Sequence, residues 1–243
     1  MILILRGHIR DSFKNKTLYN FLKILNNKIN LQVYIHTWNI YSNNLSWRDV
    51  NEDKRSVTEN TINNYFQDIN HIIKKIIIDD DRKIILKGNT HGNICNSQVS
   101  IKGWKNYWYG QKRIMDYIYD DYFNKNIDLY KINIINTRFD LFENSFNYKI
   151  NYVFSFIKIF YNKNLIKNKF ISLTLGCDNM YIGNIITMKK LINHFNFNLD
   201  YICNYYKNLN IIHQEFLTLY ENNRINYKKN KKYKLYIYVK KNM

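Results

Sequence analysis

Short apolar runs that stop abruptly at polar or charged residues constrain the fold of this 243-residue chain more than any other feature. Residues 2–5, 31–36 and 131–136 are runs of this kind, which are typical of buried parallel strands. Apolar residues at helical spacing occupy 14–29 and 60–75 between them. Because a strand, a helix and a second strand in this order form a right-handed parallel unit, the pattern predicts an α/β fold.

The rest of the chain continues this alternation less regularly. We expect an open, mostly parallel (mixed) sheet flanked by helices, in a single domain that spans residues 1–243. Residues 88–103 have no clear period and are expected to form a loop, the mobile part of a site. The remaining predicted strands are 75–78, 171–175 and 233–239, and the remaining predicted helices are 107–122, 187–195, 199–206 and 215–222.

The chain is strongly basic, with a formal net charge of +18 from 37 Lys and Arg residues against 19 Asp and Glu residues. Such a field attracts polyanions or anionic membrane surfaces. The densest basic cluster, 228–234 with Lys240 and Lys241, indicates a membrane-surface segment or a solvated tail. Because the other cationic residues are dispersed and no nucleic-acid-binding motif is present, we expect no nucleic-acid partner.

Several classes of protein are disfavoured. With 46% hydrophobic residues the chain can bury a core and should not be disordered. Cys95, Cys177 and Cys203 are unevenly spaced and suggest neither a disulfide framework nor a zinc site. No window approaches the ~20 apolar residues of a membrane span, and the run at 2–5 is too short for a signal peptide. We therefore expect a cytoplasmic protein, with peripheral contact at the inner face of a membrane at most.

Polar clusters follow the predicted strands, at 6–10, 37–38, 138–140 and 178–179. Because the carboxyl ends of parallel strands open on one edge of a sheet, these clusters should converge. Arg6, Gly7 and Arg10 combine a residue that lets the backbone approach closely with guanidinium groups that grip phosphate oxygens. The alternative is that the arginines cap the sheet or pair with acidic residues.

Aromatic and histidine side chains near these clusters also have two interpretations. Trp38, Trp104 and Trp108 either stack on a base or sugar ring or pack in the core. His8 and His36 lie beside strand ends, where hydrogen-bonded structural histidines are expected more often than catalysts.

Five segments, taken in order, carry a resemblance to a known family. They are ILRGHIRDSF at the first strand, VYIHTWN at the second, INTRFDLF after the central strand, GCDNMYIGN before a helix that contains Met188, and HQEFL at His213 to Leu217. Each is short, but together they span nearly the whole chain. The chain resembles small GT-A-type glycosyltransferases of bacterial capsule and lipopolysaccharide gene clusters, with relatives in large DNA viruses.

The resemblance implies a GT-A-like fold in which residues 1–140 bind a nucleotide-sugar donor. Residues 141–243, with their basic end, would bind the acceptor. Asp178 would be the general base that takes the proton of the acceptor hydroxyl, with Glu215 as the competing base. The donor residues would be Arg6, Gly7, His8, Arg10, Thr37, Trp38, Gln111, Arg113, Arg138 and Asp140, and the acceptor residues Asn179 and Tyr181.

Enzymes of this type hold Mg²⁺ or Mn²⁺ on a DxD motif after the central strand. Here that position is Arg138-Phe139-Asp140, with one carboxylate, and Arg138 could supply part of the missing positive charge. Asp140 is the expected metal ligand. The run 79–81, three aspartates, is expected to be a solvated turn and is the alternative metal site.

The function expected from this resemblance is sugar transfer from a nucleoside-diphosphate sugar to a hydroxyl of a capsule or lipopolysaccharide precursor, with a lipid-linked acceptor among the expected ones. One alternative is a basic, non-catalytic nucleic-acid-binding protein. Another is a two-lobed fucosyltransferase-type enzyme, suggested by His8-Ile9-Arg10-Asp11, although that family's motif lies later in a chain and has a second Arg.

Overall fold

The computed structural model describes residues 1–44, 51–95, 97–143, 148–161, 171–173, 179–209, 217–222 and 224. The strands are β1 (Ile2–Arg6), β2 (Gln32–Trp38), β3 (Ile40–Ser42), β4 (Asp53–Ser56), β5 (Ile73–Asp79), β6 (Asn133–Arg138), β7 (Ile171–Ser172) and β8 (Met180–Asn184). The α-helices are α1 (Thr17–Lys28), α2 (Glu59–Phe66), α3 (Ile101–Asn124), α4 (Ile150–Tyr161) and α5 (Ile185–Asn208). Short 3-10 helices occupy Gln67–Ile72 and Phe139–Phe142.

Six strands form the main sheet in the order β5-β2-β1-β6-β8-β7, and β3 and β4 form a separate antiparallel pair. In the main sheet only β8 runs against its neighbours. This confirms the expected α/β fold with a mixed, mostly parallel sheet. The chain passes from β1 through α1 to β2 on one side, whereas β6 joins β1 on the other side, so the strand order reverses between β1 and β6. Such a switch point is where open α/β sheets bind ligands.

Helices cover both faces of the sheet, so the central strands are buried on two sides. In β1, Leu3 and Leu5 pack into the core that also contains side chains of α1, α2 and α4. Ile2 and Ile4 point to the opposite face, into the core with α3 and α5. Because successive side chains of a strand alternate between faces, both sets must be apolar, which explains the continuous apolar runs.

Several elements differ from the sequence predictions. β3, β4, α4 and β8 were not predicted, and the predicted helix 60–75 comprises α2, the 3-10 helix Gln67–Ile72 and the first residues of β5. β8 is a strand because its backbone pairs with β6, with Gly183 opposite Ile134. α3 begins at Ile101, where the Ser100 hydroxyl accepts the Gly103 N–H, so the predicted loop 88–103 ends earlier. α5 contains both helices predicted at 187–195 and 199–206, and its backbone leaves helical geometry between them at Asn198.

Some predictions lie outside the described residues. These are the basic cluster from 228 onward, the strand 233–239, Cys177, and the two candidate bases Asp178 and Glu215. Residues 217–222 are helical, within the helix predicted at 215–222. In the described part of the chain, none of the helices is both long and apolar enough to cross a bilayer.

Candidate functional site

The carboxyl ends of the central strands bring polar residues into one row. Arg6, the last residue of β1, is the Cα partner of His36 in β2 and of Arg138 in β6. The convergence expected from the strand ends is therefore present on this edge. It falls at the switch point between β1 and β6, where a crevice outside the strand ends is the usual ligand site.

The turn after β1 has an unusual backbone. Gly7 has φ of +92° and Arg10 has φ of +52°. Tertiary hydrogen bonds hold both residues, since Gly7 N–H donates to the His36 carbonyl oxygen at 3.2 Å and Arg10 N–H donates to the Tyr41 carbonyl oxygen at 2.9 Å. A left-handed backbone costs an arginine about 1–2 kcal/mol, and such strain is concentrated at ligand-binding turns.

Asp140 holds two arginines at this edge. Arg138 grips the carboxylate bidentately, with Nε donating to Oδ1 and Nη2 to Oδ2, both at 2.7 Å. Arg10 Nη1 donates to Oδ2 at 2.8 Å from the other side. The Asp140 side chain is 6% exposed, whereas those of Arg10 and Arg138 are 20% and 16% exposed. The carboxylate therefore lies beneath two guanidinium groups that reach solvent, and together the three groups carry one net positive charge.

This arrangement does not fit a divalent cation on Asp140. Both carboxylate oxygens already accept hydrogen bonds from guanidinium groups, and a cation there would be repelled by Arg10 and Arg138. Over the ranges that the structure describes, no group of three or more His, Cys, Asp or Glu residues could hold a metal ion.

The three aspartates at 79–81 do not form a solvated turn, and they do not point toward one centre. Asp79 bonds to His36 and Arg113, Asp80 pairs with Arg82, and buried Asp81 accepts from the Asn43 amide. The expectation of a solvated turn is corrected on this point, because tertiary partners bury part of the run.

Asp79 and His36 form a second polar pair, behind which α3 packs closely. His36 Nε2 lies 3.2 Å from Asp79 Oδ2, which also accepts from Arg113 Nε at 3.2 Å. Burial lowers the pKa of His36 although Asp79 opposes this, and the hydrogen bond from His36 lowers the pKa of Asp79. A Cβ on Gly110 would lie 2.4 Å from His36 Nδ1. Because the helix covers that nitrogen, His36 orients Asp79 and Arg113 and does not reach a substrate.

A buried network fixes Arg6 from behind. Arg6 Nε donates to Asn136 Oδ1 at 2.5 Å, and Asn136 Nδ2 donates to Gln111 Oε1 at 3.0 Å. The Tyr181 hydroxyl donates to the same Gln111 oxygen, and burial raises the pKa of Tyr181 well above its ordinary value. The Arg6 guanidinium carbon lies 4.6 Å from the centre of the Tyr107 ring.

Gln111 and Tyr181 are fully buried in this network, so they lie behind Arg6 instead of at the surface where a donor or acceptor would bind. Arg6 is itself buried. Asn136 was not identified from the sequence as a site residue, although an asparagine that directly follows the apolar pair Ile134-Ile135 of a buried strand is a signal for a buried polar network.

Three buried polar atoms near the strand ends have no hydrogen-bond partner among the described residues: His8 Nε2, Thr37 Oγ1 and Asn39 Oδ1. His8 follows β1, and Thr37 and Asn39 lie at the end of β2. Burial, helped by the charge of Arg10, lowers the pKa of His8 to about 3, so its ring is neutral. A buried polar atom without a partner costs about 1–3 kcal/mol, which makes such a group a candidate for ligand contact.

Trp38, Trp104 and Trp108 are buried in the core, as one of the two interpretations predicts. Trp38 is buried, with its ring centre 6.3 Å from that of Tyr109 in a stacked arrangement. Trp108 stacks on Phe195 at 4.3 Å, and Trp104 is also buried. Large aromatic faces therefore support the sheet edge from within and do not line it.

Asn179 connects β8 to the site. Its backbone oxygen accepts the Arg138 N–H at 3.1 Å and the Thr137 hydroxyl at 3.1 Å, and its amide donates to the Tyr148 hydroxyl at 3.4 Å. Its side chain is buried, so its direct contribution to acceptor contact is small in this arrangement. Asp178 precedes it in the sequence but lies outside the described residues, as does Glu215.

The solvent-reaching part of the site thus consists of two guanidinium groups fixed by one carboxylate, and three neutral polar atoms at the ends of β1 and β2 are buried near them. This combination suits an anionic ligand with a polar, uncharged portion. Comparisons of the chain with protein-family models, with curated proteins and with solved structures each found no match.

Proposed function

We propose that the chain is a glycosyltransferase with a GT-A-like architecture. It moves a sugar from a nucleoside-diphosphate sugar to a hydroxyl of a surface-glycan precursor. The observation that carries the proposal is the placement of Arg10 and Arg138 on Asp140 at the switch point between β1 and β6. Two preoriented guanidinium groups match the two phosphates of a nucleoside diphosphate, because a guanidinium that holds Asp140 through some of its N–H groups can donate to phosphate oxygens through others.

The neutral polar atoms support the nucleoside part of this ligand. Thr37 supplies a hydroxyl and Asn39 an amide oxygen, while His8 supplies a neutral ring nitrogen. Such groups recognise the uncharged edges of a base or the hydroxyls of a ribose, and a ligand that pairs with them removes their desolvation cost. A simple inorganic anion would leave these atoms without partners.

In the proposed reaction the diphosphate gains negative charge as the bond to the sugar breaks. Arg10 and Arg138 stabilise that charge electrostatically, and they need little reorganisation because Asp140 already orients them. Asp178 remains the proposed base for the acceptor hydroxyl, with Glu215 as the alternative. Asp178 directly precedes Asn179, whose backbone contacts Arg138.

Calorimetry with UDP, GDP, CMP and dTDP, with and without excess EDTA, tests this proposal. We expect one nucleotide class to bind, and EDTA to change its Kd less than about twofold, since the arginines occupy the carboxylate that a metal would need. Arg10→Ala should weaken binding by about 1.5–3 kcal/mol, the range for a hydrogen bond to a charged group.

The matched control is Arg82→Ala, which removes an exposed arginine paired with Asp80 and should leave the affinity unchanged. Absence of binding to every nucleotide would refute the proposal. Equal affinity in Arg10→Ala and the parent would move the donor site away from the turn after β1. Tight binding of single-stranded nucleic acid without nucleotide binding would favour the nucleic-acid alternative instead.

A further inference from the structure

Two exposed apolar side chains lie together on the surface beside the site. Ile85 is 92% exposed and Phe197 is 65% exposed, the highest values among the large hydrophobic side chains that the structure describes. Both line one cavity of about 320 Å³, together with Lys87, Lys112 and Arg113. Single exposed apolar residues are normal on a protein surface, whereas exposed apolar residues grouped within a polar rim mark interaction surfaces. We call these five residues the apolar-basic patch.

The loop that carries Ile85 is held in place by a half-exposed ion pair between α3 and α5, in which the Lys105 side chain is buried and that of Asp200 is 42% exposed. Lys105 donates to the Lys87 carbonyl oxygen and to Asp200, whose carboxylate also accepts the Asn89 N–H at 3.2 Å. Gly88, between Lys87 and Asn89 in the sequence, has φ of +73°, and a Cβ on it would lie 2.0 Å from a carboxylate oxygen of Asp200. Residues 87–89, which follow Ile85, are therefore fixed to α3 and α5.

Positive charge surrounds the apolar pair. The residues that line the cavity include the cations Lys87, Lys105, Lys112 and Arg113 and one acid, Asp200, which Lys105 pairs. Just outside the lining, Lys112 pairs with Asp116 and Arg113 with Asp79. Lys112 Nζ lies 5.5 Å from the centre of the Phe197 ring. The patch thus combines apolar tips with a cationic rim, on a chain of net charge +18.

We propose that the apolar-basic patch docks the chain on an anionic membrane surface. Ile85 and Phe197 enter the boundary between headgroups and acyl chains, while Lys87, Lys112 and Arg113 bind lipid phosphates. The long lysine and arginine side chains can lie along the apolar boundary with their charges at the headgroups.

Other occupants fit these observations less well. A second copy of the chain would bring another net charge of +18 against the same cations, which repels it. A nucleic acid would satisfy the cations, but its phosphate backbone offers no apolar partner to Ile85. An anionic bilayer supplies both kinds of contact at once.

Docking in this way would place the candidate site near the lipid surface. Arg113 belongs to the patch and also contacts Asp79, and Tyr109 lines the same cavity and stacks on Trp38. With the proposed function, a lipid-linked acceptor would reach the sheet edge directly from the membrane. This consequence rests on the proposed function, whereas the docking itself does not.

Vesicle co-sedimentation of the full chain tests the docking surface without any nucleotide. Phosphatidylcholine vesicles with and without phosphatidylglycerol are compared at low and at high potassium chloride. We expect binding to the anionic vesicles, and the double variant Ile85→Ser/Phe197→Ser should lower the partition coefficient about tenfold or more at both salt concentrations, as expected for lost apolar burial. Ile85→Trp should raise it, because tryptophan favours the membrane interface.

Phe123→Ser is the matched control, because Phe123 is 59% exposed near the end of α3 and does not belong to the patch. It should bind as the parent does. Equal binding of the double variant and the parent would overturn the proposal, as would an equal loss in Phe123→Ser or no binding by the parent. Because no nucleotide is present, failure here leaves the proposed function to its own calorimetric test.

Discussion

Acidification tests whether burial keeps the His8 ring neutral in the folded protein. The pKa of His8 is about 3 in the fold against an ordinary value of 6.5, mainly because the ring is buried, with Arg10 and His36 lowering it further and Asp140 opposing them. Between these two pKa values the unfolded chain binds a proton that the folded chain does not. The stability that neutral His8 allows is therefore complete above pH 6.5 and is lost as the pH falls toward 3.

The magnitude follows from this window. At about pH 5.5, one unit below the ordinary pKa, the unfolded state gains about 1.4 kcal/mol from protonation of this histidine, relative to about pH 7.5. The folded state gains almost nothing over the same range. Burial also lowers the pKa of His36, so this histidine adds a further loss of stability on acidification. The free energy of unfolding of the parent should therefore fall by more than His8 alone explains.

Urea denaturation followed by tryptophan fluorescence at the two pH values measures this loss. His8→Gln should lose about 1.4 kcal/mol less than the parent on acidification. His91→Gln, which replaces an exposed loop histidine, controls for the removal of one histidine and should behave as the parent does. If the parent and His8→Gln lost the same free energy, the reasoning about a buried neutral ring would be refuted.

Three further substitutions examine the parts of the site separately. Asp140→Asn should lower the free energy of unfolding in urea by about 3 kcal/mol, because it leaves two partly buried guanidinium groups without their carboxylate. Asp11→Asn, at an exposed ion pair, should lower it by less than about 1 kcal/mol. Similar values for both variants would contradict a structural role of Asp140. Gly110→Ala should cost about 1–3 kcal/mol because its Cβ would collide with the His36 ring, and a gain in melting temperature would show that α3 can move away. Asp178→Asn should lower turnover about 10²–10⁴-fold while nucleotide affinity, measured by calorimetry, stays constant; near-parental turnover would shift the role of base to Glu215.

The sequence predicts the sheet edge well where strand periodicity and parallel geometry are sufficient. The run at 2–5 is long enough to identify a buried strand, and 131–136 is predicted as a second parallel strand. Arg6 and Arg138 follow these two runs at the same sheet edge, and β1 and β6 are neighbours that place them opposite each other. The same logic applied to Asp79, the last residue of β5, would have placed it at this edge.

Other parts of the site depend on tertiary partners that no local pattern encodes. β8 contains a glycine and is only five residues long, and it is a strand because β6 offers it hydrogen bonds. Gln111 and Tyr181 look like polar residues available for a ligand, but they are buried because Asn136 and Arg6 supply hydrogen-bond partners for them. The presence of such buried hydrogen-bond partners decides whether a polar side chain faces the interior or a ligand.

The position of β1 in the middle of the sheet has a consequence for biosynthesis. One side of β1 pairs with β2, which follows soon after, but the other side pairs with β6, and Arg10 meets Asp140 across 130 residues. A growing chain must therefore carry β1, whose first four residues are apolar, with one edge of unpaired backbone N–H and C=O groups until β6 has left the ribosome. An open strand edge of this kind is prone to pair with other chains. Nascent chains truncated before β6 should depend on chaperones for solubility much more than chains that contain it.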